Sequence, residues 1–163
     1  MNRPTRPPHL ENLMHRTPIA YARLYGSRRY PDILGLVRFF ATPLGTLVVT
    51  EVSGLPTGNT AQEPIFALHI HSGGSCTGNN TDPFADAGTH YNPQGVPHPY
   101  HAGDLPPLFG ADGHAFGATL TDRFTPAEVI GKTIVIHANP DDFTTQPAGN
   151  AGEKIACGEI RMR

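Results

Sequence analysis

Six of the nine histidines in this 163-residue chain form one candidate set within positions 69 to 137. They are His69 and His71, His90, His98 and His101, and His137, with Asp104 shortly after His101. An apolar core has little use for so many imidazoles in one stretch. Their donor types suit two adjacent metal sites. A nitrogen-only set suits copper, and a set mixing imidazole with carboxylate suits zinc. The only two cysteines, Cys76 and Cys157, enclose His90, His98, His101 and His137.

The spacing supports ligation. His69 and His71 end an apolar run, and side chains two apart on a strand project from one face, so both rings can converge on one ion. His137 ends a second such run, Thr133-Ile134-Val135-Ile136, and offers a third nitrogen. His98, His101 and Asp104 are closely spaced in a proline-rich stretch, and a short loop of this kind can wrap a tetrahedral ion. Taken singly, each group reads more readily as surface histidines on a polar strand or loop. Together they strengthen one another as ligands. His114 reads as a turn residue, and His9 and His15 lie near the N-terminus; none of the three is given a role. Hydrolytic chemistry has no support. There is no Gly-x-Ser-x-Gly, no His-Glu-x-x-His and no glycine-rich phosphate loop, and nothing marks Ser72 or Ser75 as a nucleophile.

These residues need a scaffold, and the composition says which kind. Eighteen glycines and 17 prolines make up more than a fifth of the chain, which fits either disorder or a β protein rich in turns. Short β-branched and aromatic runs decide for the second. Strands are expected at 19–25, 33–41, 47–52, 65–71, 116–120, 133–137 and 155–160, with a Thr42-Pro43-Leu44-Gly45 turn between the second and third. Thr125-Pro126-Ala127-Glu128 reads as a brief helical turn, an N-cap followed by proline. Seven or eight short strands predict an all-β fold, a Greek-key sandwich or flattened barrel. Residues 72–115 show no convincing strand. A stretch of that length without secondary structure implies that it is ordered by something or carries function.

The length predicts one domain, with residues 1–17 as a flexible leader and 18–163 as the barrel. A net charge of −2 and the lack of a basic stripe with interleaved aromatics give no reason to expect nucleic acid. No apolar run approaches the ~18 residues of a membrane helix. The N-terminus lacks the apolar region of a secretory signal, so the cytoplasm is expected, with an exported, processed form as the alternative. Two cysteines allow either one disulfide or two thiols in a reducing compartment. A bridge closing so large a loop would contribute roughly 3–5 kcal/mol.

Several motifs then converge on one family. His69-Ile70-His71, Gly88-Thr89-His90-Tyr91-Asn92-Pro93, His101-Ala102-Gly103-Asp104-Leu105, the run from Val129 to His137, Pro140-Asp141-Asp142 and the run from Gly149 to Gly158 resemble the copper/zinc superoxide dismutases, in that family's order. The resemblance covers residues 19–162. It implies a Greek-key barrel with long metal-binding loops that disproportionates superoxide to dioxygen and hydrogen peroxide, and it is compatible with a homodimer. It also implies that copper is held by His69, His71, His90 and His137, and zinc by His90, His98, His101 and Asp104. His90 would be the shared ring, releasing copper on reduction and carrying a proton to the product. Asp141 would join a copper histidine to a zinc histidine, and Cys76 and Cys157 would form a disulfide. Lys154 stands where the family usually has an active-site arginine, and would draw the anion in by its charge while lacking the planar fork. The loop from His98 to Asp104 and the one after His137 are both short for the family. Two other readings remain open: a copper/zinc-binding barrel without turnover, and an interaction module with incidental histidines.

Overall fold

The structure, a computed structural model, describes residues 16–58 and 64–163. The expected leader lies almost wholly outside the described residues. The strands are β1 (Ala20–Gly26), β2 (Leu34–Thr42), β3 (Gly45–Ser53), β4 (Ile65–His71), β5 (Asp104–Phe109), β6 (Ala115–Thr121), β7 (Thr133–His137), β8 (Lys154–Glu159) and the two-residue β9 (Arg161–Met162). They pair antiparallel in the order β5-β4-β7-β8-β1-β2-β3-β6, with β9 beside β1. The ends of this path, β5 and β6, return alongside each other and nearly close the barrel. The links from β3 to β4 and from β6 to β7 each jump across the sheet order, which gives the Greek-key character.

Period-two patterning explains the barrel wall. Val37 and Phe39 of β2, Val48 and Val52 of β3, and Ile134 and Ile136 of β7 all point into one buried core. The β2–β3 turn forms at Thr42–Gly45, where the Thr42 hydroxyl donates to the Gly45 carbonyl at 2.8 Å and accepts from the Leu44 N–H at 3.1 Å. Gly45 has a φ of 129°, and a side chain there would strike the Thr121 carbonyl. The helical turn forms as α1 (Pro126–Val129), with the Thr125 N–H donating to the Glu128 carboxylate at 2.6 Å.

One expectation fails. Residues 72–115 do contain a strand, β5, which carries Leu105 and Leu108 into the core. Its two prolines, Pro106 and Pro107, hid it. A proline cannot donate to a ladder and therefore suits a strand at the end of the sheet order. β5 sits at that end and pairs with β4 through a bulge between Phe66 and Leu68.

β4 and β7 are buried on both faces. Leu68 and Ile70 of β4 enter the barrel, so His69 and His71 face outward, as do Val135 and His137 of β7. Two long loops cover this outer face. The first, 72–103, packs Phe84 and Ala87 against outward-facing Val135 and Cys157. It is stapled to β8 by the Cys76–Cys157 disulfide, so the pair is a bridge and not two thiols. The second, 138–153, returns along the strand ends with Ala138 N–H donating to the Glu153 carbonyl and Asn139 N–H to the Ala151 carbonyl, both at 2.9 Å. No described helix is long and apolar enough to cross a membrane.

Candidate metal centre

Strand register brings the first set of imidazoles together. His69 lies opposite Val135 and His71 opposite Thr133, so His137 at the end of β7 falls beside both rings. An isolated bridge between His71 and His90 adds the fourth. Ring centroids are 5.3 Å apart for His71 and His137, and 4.0 Å for His69 and His90. The second set gathers where the first loop runs into β5, with His90, His98, His101 and Asp104. Within each set the potential ligand atoms lie no more than 4.8 Å from one another, and all seven residues are buried. The sequence-expected ligands therefore assemble without exception, with His90 common to both sets.

Outer hydrogen bonds fix which nitrogen each ring presents. His71 Nδ1–H donates to the Gly88 carbonyl at 2.8 Å, and His137 Nδ1–H to the Gly152 carbonyl at 3.2 Å. Both therefore turn a lone pair inward at Nε2, and these two nitrogens face each other at 3.2 Å. Two lone pairs at that distance need a cation between or beside them. Asp141 does the same work for two other rings. His69 Nε2–H donates to one of its oxygens and His98 Nε2–H to the other, each at 2.8 Å. That leaves Nδ1 of His69 and Nε2 of His90 buried without a hydrogen-bond partner among the described residues, while Nδ1 of His98 faces an Asp104 carboxylate oxygen at 3.0 Å. Unpaired buried ring nitrogens are costly in a protein interior unless something binds them. The convergence of donor atoms fits a metal in each set. Outer partners of this kind set ring orientation and tautomer at metal sites.

The electrostatics agree. Burial, reinforced by the neighbouring His137, pushes His71 down to about 2. Burial and His69 push His137 down to about 3. His69 is also lowered, with burial outweighing the Asp141 hydrogen bond that opposes it. Rings so shifted are neutral lone-pair donors at neutral pH, as ligation requires. Burial works to raise Asp141, but hydrogen bonds from His69, the Phe143 N–H and His98 hold it well below the usual carboxylate range. Asp104 is lowered in the same way, burial opposing and the His90 hydrogen bond prevailing.

Three further residues support the two sets from outside. Arg123 reaches under the second set, its Nη1 donating to the carbonyls of Pro99 at 3.1 Å and His101 at 3.2 Å. Gln146 brackets the His98 backbone, accepting from its N–H at 3.0 Å and donating to its carbonyl at 2.7 Å. Gly149, with φ 64°, leaves room for Asp141 and His98, which any side chain there would strike. Only the last carried a signal in the sequence, the glycine-rich run that precedes Cys157.

His71, His90, His101 and His137 line a cleft of about 420 Å³ together with Thr89 and Lys154. Lys154 lies opposite His137 in the β7–β8 register. Its ammonium is ion-paired with Asp82 at 2.5 Å and donates to the Phe84 carbonyl at 3.1 Å. Burial works to raise Asp82, but Lys154 and the Phe84 N–H hold it low.

Residues 33–160 match the family model described as copper/zinc superoxide dismutase. The chain belongs to that family. It is 37% identical over 145 residues to a Cu-Zn superoxide dismutase of Deinococcus radiodurans, an alignment covering 77% of this chain and 76% of the relative. A Cu-Zn superoxide dismutase of Legionella pneumophila is 33% identical over 148 residues, covering 86% of this chain and 85% of that one. Among solved structures, a double mutant of a SOD-like protein from Bacillus subtilis superposes with a TM-score of 0.69 at 28% identity, covering 86% of this chain and 96% of the other. The family's barrel, its histidine clusters and its loop disulfide are thus all present in this copper/zinc superoxide dismutase-type chain.

Proposed function

We propose that this chain disproportionates superoxide to dioxygen and hydrogen peroxide, with copper held by His69, His71, His90 and His137, and zinc by His90, His98, His101 and Asp104. The observation that carries this reading is His90. Its ring stands between two buried donor sets, with Nε2 unpaired on one side and Nδ1 2.8 Å from Asp104 on the other. Bound copper would supply one-electron exchange with superoxide, and zinc a fixed charge without redox chemistry.

The protein's own groups do the rest. Asp141 ties His69 to His98, so the ring orientations of the two sets are set jointly. His90, anchored on its Nδ1 side, can carry a proton at Nε2 and deliver it to the reduced product within hydrogen-bond reach. The cleft admits a small anion past His71 and His137, and the Lys154 ammonium at its edge favours negative charge there.

The test is metal content together with turnover. Protein reconstituted with both ions should hold one copper and one zinc per chain and dismutate superoxide, and copper removal should abolish activity. Stoichiometric metal without turnover would leave a metal-binding barrel, and no stoichiometric metal would refute the site altogether.

A further inference from the structure

A lysine at the mouth of an anion cleft has a weakness that an arginine does not. Its compact ammonium rides on a flexible four-carbon stem, whereas a guanidinium fork is rigid and can be braced while still offering N–H groups. Here the Lys154 side chain is only 15% exposed, so its partners are those the fold supplies. An ammonium has three donors. The Asp82 carboxylate and the Phe84 carbonyl occupy two, which leaves one for the cleft that Lys154 lines beside His71 and His137.

Asp82 is itself held. Its other oxygen accepts from the Phe84 N–H at 3.0 Å, and its own N–H donates to Asn79 Oδ1 at 3.0 Å. The loop carrying it is packed through Phe84 on Val135 and Cys157, and stapled by the disulfide to the strand that carries Lys154. We propose that Asp82 is a positioning residue for anion capture, bracing the Lys154 ammonium at the cleft and so replacing the rigidity that a guanidinium would bring. The inference rests on the copper reading above.

Two substitutions separate position from charge. Asp82→Asn and Asp82→Ala remove the same negative charge, but only the amide keeps an acceptor oxygen for Lys154. The probe is azide, a small monoanion that coordinates copper(II), titrated optically on the copper- and zinc-loaded protein at fixed ionic strength. Asp82→Asn should bind azide about threefold or more tightly than Asp82→Ala, the worth of an ordinary hydrogen bond. In the Lys154→Met background the two should bind azide equally, because there is no ammonium left to hold.

Equal affinities in both backgrounds would overturn the inference. So would a deficit of Asp82→Ala that persists in the Lys154→Met background, which would mark Asp82 as a support of the loop alone. A loaded parent protein that neither binds azide nor turns over superoxide would overturn the copper reading and this inference with it.

Discussion

The strand-borne histidines and the loop-borne histidines reach the same end by different means. His69, His71 and His137 sit on β4 and β7, whose register is locked because Leu68, Ile70, Ile134 and Ile136 fill the barrel on the other face. A slip of one residue would turn the rings inward and the apolar side chains outward, so the barrel core itself holds these ligands in place. His98 and His101 have no such backing. Their stretch of chain is held by point contacts: Arg123 on two carbonyls, Gln146 on the His98 backbone, and the Asp141 carboxylate on the His98 ring. A metal site on strands draws on the stability of the whole fold, and one on a loop depends on the tethers it has.

The sharpest break should come at the strand-borne set. His71→Ala should lower dismutation more than about 100-fold, beyond the 10–100-fold typical of losing an outer partner. The isolated zinc affinity should change little, and competition titration with a chelator would measure it. A comparable loss of zinc would show that the two sets are not separately supported.

Asp141→Ala removes the carboxylate that accepts from a ring of each set, His69 and His98. It should weaken copper and zinc binding together, each by about 10–100-fold. If only one metal loosens, the joint orientation of His69 and His98 does not govern affinity. The smallest effect is expected at Arg123→Ala, which should lower zinc affinity about 3–10-fold, the range of an ordinary hydrogen bond, and leave copper affinity alone. Equal losses of both metals would place Arg123 in the support of the barrel and not of the loop.

The same contrast explains what could be read in advance. The strand-borne ligands were legible because β-branched runs ending in histidine announce both the strand and the side of it that matters; the expected 65–71 and 133–137 coincide with β4 and β7. Asp104 was legible as a ligand by its spacing from His101, yet the strand it opens was not, since Pro106 and Pro107 argue against any strand that is not at an edge. The supports of the loop were hidden for a different reason. Arg123, Gln146 and Asp82 act on partners tens of residues away, and no local pattern marks such a contact. Lys154 shows the consequence. Its charge could be read from the sequence, but its pairing with Asp82 could not.

The measurement that bears most directly on the account is crystallography of the fully loaded protein, with anomalous scattering recorded at the copper and zinc edges. The account predicts two ions on opposite sides of the His90 ring, copper at Nε2 with His69, His71 and His137, and zinc at Nδ1 with His98, His101 and Asp104. A single ion, or two ions that leave His90 bound to only one of them, would contradict it.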